Sequence, residues 1–238
     1  MKHNKKRLFI IILSVLSLVC LTGCMNTSTK SNGSNSKTVV SSTSKKSKEE
    51  LKANVKKEVL GITESGDYVI KLTNNNDEQF YIEDVSIRFF DSDGNFVKKV
   101  NAKDSYFCIP ANGEVVTYAW GYGENFQEYS RSEIEILTDS PFYKYKTENF
   151  NIETSDTGRE IAITVTNNND IDLDCISVNV VYIKDEKVVG IENGISYEEG
   201  ITSNGGKAYI NVNYPHDSRY HDVAFEKYEV YIVSAYKM

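Results

Sequence analysis

The segment Val69-Ile70-Lys71-Leu72-Thr73-Asn74-Asn75-Asn76-Asp77 returns as Ala162-Ile163-Thr164-Val165-Thr166-Asn167-Asn168-Asn169-Asp170, 93 residues further along the chain. At the same offset Val85, Ile87 and Phe89 meet Val178, Val180 and Tyr182, and the turn at Asn112-Gly113 meets Gly205-Gly206. A chain that repeats itself at this distance has to fold as two copies of one unit, and about 90 residues is an ordinary size for an independent domain. The junction falls near Asp139-Ser140-Pro141, because proline cannot donate to a strand ladder and ends the strand before it.

The spacing inside each copy is that of strands. Ile82 to Phe90 and Ile176 to Ile183 alternate apolar with polar residues and are rich in β-branched and aromatic side chains. Asp93-Gly94 is placed to close a hairpin between Ile87-Arg88-Phe89-Phe90 and Phe96-Val97-Lys98, glycine supplying the positive φ such turns need. Only Ser47 to Lys57 carries a helical pattern. Short strands with turn signals every ten or so residues predict an all-β chain of two tandem immunoglobulin-like β-sandwich domains, over residues 49–140 and 141–238.

Ahead of the repeat, Lys2, Lys5, Lys6 and Arg7 precede an apolar run from Leu8 to Leu21 that is broken only by Ser14, Ser17 and Cys20. Its 14 residues fall short of the roughly 20 that span a bilayer, so residues 1–23 read as a secretory signal and not as a permanent membrane helix. The run ends in Leu21-Thr22-Gly23-Cys24, which resembles the lipobox of bacterial lipoproteins. That resemblance implies a diacylglyceryl thioether on Cys24, cleavage between Gly23 and Cys24, and N-acylation as a further step. The thiol is the nucleophile that takes the lipid, and two or more acyl chains anchor a protein stably at about 0.8 kcal/mol per buried methylene. The expected address is the outer face of a bacterial cell membrane. Residues 24–48 are almost wholly Ser, Thr, Asn, Lys and Gly, a composition too polar to offset its ordering entropy, and so a flexible tether.

Loss of the four basic residues of the leader takes the formal charge from −7 to −11, and setting aside the tether lysines Lys30, Lys37, Lys45, Lys46 and Lys48 leaves −16. So acidic a folded part is not a nucleic-acid binder, since phosphate binding needs clustered Lys and Arg. The basic tether suits either contact with anionic lipid or plain solubility. Cys20 leaves with the leader and Cys24 takes lipid, so Cys108 and Cys175 remain; they sit at non-equivalent positions and read as free buried thiols before an inter-domain bridge.

The stretch Leu72-Thr73-Asn74-Asn75, then Val85-Ser86-Ile87-Arg88-Phe89-Phe90-Asp91-Ser92-Asp93-Gly94 and Ile109-Pro110-Ala111-Asn112-Gly113-Glu114, resembles the FxLYD-type sandwich domains of Gram-positive surface lipoproteins. The second copy departs from that pattern, with Lys184-Asp185-Glu186-Lys187 in place of the Asp-Gly turn and Ser203-Asn204-Gly205-Gly206 without the proline. The resemblance implies a fold; it carries over no catalytic residue.

Asp91-Ser92-Asp93-Gly94 has the opening of a calcium loop, but Phe96, Val97 and Val100 stand where ligands belong, and a hairpin turn is the better account. His216, His221 and Asp222 share one loop; imidazole and carboxylate suit zinc, yet no third strong ligand is evident, so these are weak metal candidates beside a solvated turn. No Gly-x-Ser-x-Gly elbow or Ser-x-x-Lys pattern points to a nucleophilic enzyme, and no cofactor is expected. The remaining signal is aromatic. Tyr118, Trp120, Tyr122, Phe126 and Tyr129 crowd one segment, and Tyr209, Tyr214 and Tyr220 its counterpart. Such residues make binding surfaces, or fill the core of a sandwich. From them Trp120, Tyr122, Tyr129, Tyr214 and Tyr220 are the binding candidates. The expectation is a non-catalytic binding module for another envelope protein or wall polymer, with a passive spacer as the alternative and a metal-binding protein after that.

Overall fold

The computed structural model describes residues 46–121, 125–197 and 200–238, which fall in one compact unit. The leader, Gly23, Cys24, the tether to Lys45, and Tyr122 lie outside the described residues. The chain is all-β. A single short helix, α1 (Lys48–Ala53), precedes the strands. Ser47 caps it through a reciprocal box with Glu50, which satisfies two of the first free N–H groups, and Asn54 ends it, so strand begins at Val55 inside the segment whose pattern suggested helix to Lys57.

The first half contains β1 (Val55–Ile62), β2 (Tyr68–Asn74), β3 (Phe80–Ile82), β4 (Asp84–Phe90), β5 (Phe96–Asn101), β6 (Phe107–Ile109), β7 (Glu114–Ala119) and β8 (Arg131–Leu137). They pair antiparallel as β1-β2-β7, β5-β4-β8 and the small ladder β3-β6. The second half contains β9 (Lys144–Tyr145), β10 (Phe150–Asp156), β11 (Glu160–Asn167), β12 (Cys175–Lys184), β13 (Lys187–Ser196), β14 (Gly206–Asn213) and β15 (Lys227–Lys237), arranged as β10-β11-β14 and β13-β12-β15-β9.

Each half encloses its own apolar core. Ile70, Leu72 and Val115 meet Val85, Ile87, Phe89 and Ile136 in the first; Ile161, Ile163 and Ile210 meet Ile176, Val178 and Tyr182 in the second. A third cluster joins Val69, Val116 and Tyr118 to Val181 and Ile191, so that β1-β2-β7 and β13-β12-β15-β9 are covered on both faces. The sandwiches thus stack face to face in four layers, with β3-β6 as a separate small ladder. The first core also takes in Val233, from β15 of the second half.

The repeated Asn motif closes each sandwich in the same way. The Asn74 amide donates to the carbonyls of Glu78, Ile109 and Pro110, while its oxygen accepts from the backbone and side-chain N–H groups of Asn76. Asn167 repeats this with Ile171, Ile201, Thr202 and Asn169. All four asparagines are buried. Each amide therefore saturates groups that water does not reach and pins a strand end to the facing turn. The turn is displaced by one residue between copies: the N–H groups of Asn112 and Asn204 donate to Asn76 and Asn169, so Asn204 and not Gly205 matches Asn112, and both have φ near 50°.

Asp91-Ser92-Asp93-Gly94 is a hairpin turn. The Asp91 carboxylate accepts from the N–H groups of Asp93 and Asn95, and Gly94 has φ of 83°. Its counterpart is a two-residue turn with Asp185 and Glu186 both in the left-handed region, which is why no glycine marks it. Cys108 and Cys175 are buried and free. Burial pushes the Cys108 thiol up to about 12, so neither a thiolate nor ready exchange is available there.

A polar thread crosses the junction. Asn179 donates to the Val116 carbonyl and to one Asp104 oxygen, which also accepts from Thr117, and Asn193 donates to the Asn179 side chain. Burial raises the Asp104 carboxyl above its ordinary range against the pull of Asn179, Thr117 and Lys103.

Two outcomes follow for stability. Asn74→Ala and Asn167→Ala should each cost roughly 2–4 kcal/mol in urea unfolding, because buried carbonyls and amides are left without partners. A raised carboxyl binds its proton more tightly in the folded state, so this group stabilises the fold below the ordinary carboxylate range, and that contribution is lost as pH climbs through its raised value. Asp104→Asn should therefore raise the thermal midpoint at pH 7, with the gain fading as pH falls through the raised value and gone below about 4 in a scan by circular dichroism.

Candidate functional site

A cleft of about 610 Å³ opens at one edge of the junction, lined from the first half by Ser65, Asp67, Tyr118, Trp120 and Gly121 and from the second by Ile191, Glu192, His216 and Tyr220, with Asp217 and Ser218 beside them. Tyr118 and Ile191 are buried at its base, while Trp120 and Tyr220 are 60% and 77% exposed and form its rim.

Each lining segment is fixed locally. Between β1 and β2 the chain turns through Thr63 to Asp67, where the Thr63 N–H donates to the Asp67 carbonyl and the Ser65 hydroxyl to the Asp67 carboxylate. The other Asp67 oxygen accepts from the Gly121 N–H at 2.9 Å, tying this turn to the end of β7. The approach is so close that a Cβ at Gly121 would lie 2.1 Å from the Gly66 carbonyl oxygen. In the second half Pro215 sits on Gly190 of β13, where a Cβ would be 2.1 Å from the ring. The loop beyond is a small hairpin: His216 bridges Asp222, the Asp217 carboxylate accepts from the N–H groups of Arg219 and His221, and Tyr220 has φ of 63°. That fold-back stacks the Tyr220 ring on His216, with centroids 5.1 Å apart and planes 12° off parallel.

Glu192 and His216 meet in the cleft, Oε1 to Nδ1 at 3.2 Å. Burial is the larger influence on Glu192 and raises its carboxyl, against the pull of His216. Burial also pushes the Tyr118 phenol up, so it is a neutral donor and acceptor at any ordinary pH. At the back of the same wall the Lys103 ammonium lies 5.3 Å from the Trp120 ring centre and 5.4 Å from that of Tyr118, and donates to the Tyr118 hydroxyl at 2.9 Å. The arrangement offers flat aromatic surface, four hydroxyls and three carboxylates: the chemistry of recognition.

Of the residues singled out in the sequence, Trp120, Tyr220 and His216 are brought together here. Others are placed elsewhere. Tyr129 packs on Phe89 against the first core, and Phe126 is buried there. Tyr214 packs on Phe225 with its hydroxyl on Asp156, and Tyr209 stands exposed on β14 outside the cleft. His221 pairs with Asp217 at 3.3 Å and not with the carboxylate that holds His216, so the two imidazoles do not converge; among the described residues no group of three or more His, Cys, Asp or Glu is arranged for a metal. Asp67, Glu192 and Lys103 carry no sequence motif. Glu192 had one legible mark, a carboxylate set in the apolar strand Val188-Val189-Gly190-Ile191, but the meeting with His216 needs the tertiary fold.

Trp120 is the chain's one tryptophan, so its emission reports this cleft directly. Gly121→Ala should cost roughly 1–3 kcal/mol in urea unfolding followed by that emission, because the added methyl meets backbone that must move. Tyr220→Ala, at an exposed rim, should stay within about 0.5 kcal/mol of the parent.

No family model matches the chain, and a search of curated proteins returns no relative.

Proposed function

We propose that this chain is a membrane-anchored extracytoplasmic lipoprotein, held by lipid on Cys24, whose paired sandwiches act as a non-catalytic binding module for another envelope protein or a wall polymer. The observation that carries the binding role is the convergence of Trp120 and Tyr220, exposed aromatics from different halves, on one cleft with hydrogen-bonding side chains. Large aromatic groups left in water beside a concave surface are characteristic of recognition sites. The lipobox supports the anchor, and the turn pattern resembling FxLYD-type domains supports kinship with Gram-positive surface lipoproteins.

A binding role also fits the lining chemistry. His216 and His221 each face a carboxylate, and no cysteine or serine hydroxyl is hydrogen-bonded to either ring among the described residues. A second reading, a rigid spacer of the envelope, is favoured by the apolar, hydrogen-bonded junction that makes one compact unit of two sandwiches.

Both parts are testable in living cells. Cys24→Ser should move the protein from the membrane fraction to the medium, and its persistence in the membrane would remove the lipid anchor. Crosslinking of the anchored protein, read by mass spectrometry, should capture a partner that is lost from a folded variant with Trp120, Tyr122, His216 and His221 replaced by Ala. Identical capture by both forms, or none by either, would favour the spacer.

A further inference from the structure

We infer that the cleft between the two sandwiches is a site for an organic ammonium group, whether a free amine or the side chain of a lysine on a partner; this rests on the binding role proposed above and names its ligand chemistry. Three observations lead there. The first is charge: Asp67, Glu192 and Asp217 line the cleft, while no Lys or Arg among the described residues does. The folded part around it carries a large formal negative charge, which concentrates cations at its surface.

The second is the aromatic rim. Trp120 and Tyr220 are exposed beside those carboxylates, with Lys103 over one ring and His216 stacked on the other, and a cation over the remaining face is attracted by the ring quadrupole, tryptophan most strongly. The third is that the protein already fills part of this chemistry from within. The Lys103 ammonium lies over both Trp120 and Tyr118 and donates to the Tyr118 hydroxyl, so this wall accepts an ammonium as it stands. Lys103 does not itself line the cleft, which leaves the carboxylates on the cleft side without a lysine partner there. His216 is the base paired with Glu192, and burial still raises the Glu192 carboxyl against that pull. A neutral polyol would use the hydroxyls and rings but would add no countercharge to Asp67, Glu192 and Asp217, whose partners within the fold are N–H and hydroxyl groups and the His216 and His221 rings.

The test uses n-butylammonium and its uncharged counterpart n-butanol as probes, with Trp120 emission as the readout. The expected result is saturable quenching by the ammonium alone, weakened by molar salt and weakened about tenfold by Glu192→Gln, the loss of one favourable charge contact of ordinary size. Tyr220→Ala, which leaves the fold undisturbed at an exposed position, should weaken it as well. A short acetylated peptide with one central lysine separates the sources: tighter binding than n-butylammonium assigns a protein side chain, and equal or weaker binding assigns a free amine. Equal quenching by n-butanol, or quenching that never saturates, overturns the ammonium assignment. If that happens while the cellular crosslink still depends on the residues replaced in that variant, the binding role stands without it; if both are silent, both fall.

Discussion

Two of the five sheets among the described residues have no face they can leave in water. On the inner sheet of the first half, Val69, Val116 and Tyr118 project away from that half's core, and on the inner sheet of the second half Val181 and Ile191 do the same. A sandwich normally keeps the outer face of each sheet polar and solvated. These faces are apolar, so each sandwich stabilises the other by covering them. The polar thread through Asp104, Thr117, Asn179 and Asn193 then sets the register within that apolar contact, since displacement by one residue would take the Asn179 amide off the Asp104 carboxylate and the Val116 carbonyl. The cleft exists only because this contact holds the end of β7 against β13.

The copies were legible in the sequence because the motif that repeats is the one that closes each sandwich, and a buried amide with three carbonyls to satisfy tolerates little change. The stacking was not read, although its mark is present. At the repeat offset, Arg88 on β4 corresponds to Val181 on β12, and Ser86 to Asn179. Arg88 faces outward and pairs with Glu133 and Glu135, whereas Val181 is buried in the junction. Likewise Tyr118 is buried against the second half while its counterpart Asn211 is exposed on the outer face of β14. Where two copies of one fold differ in polarity on a single face, that face has been given a different neighbour. Comparing the copies position by position would have found it.

The aromatic residues show the opposite limit. Trp120, Tyr129 and Tyr214 look alike in sequence, each close to turns and other rings. Tyr129 and Tyr214 go to the cores because the chain around them folds back over Phe89 and Phe225, and Trp120 goes to the rim because Gly121 must press against Gly66. Local pattern cannot separate those outcomes, since the contact that holds the chain beside Trp120 comes from Asp67, 54 residues back from Gly121.

The first core includes Val233 from β15, the last strand of the second half, which also packs on β6 and β7. The first sandwich is therefore not closed by its own sequence, and its interior stays incomplete until almost the whole chain is in place. Contacts of that span make assembly slow and cooperative, because the entropy of a long loop is spent before the contact forms. The two halves look like beads on a string in the sequence, yet they are joined as a clasp is, with the end of one locking the other.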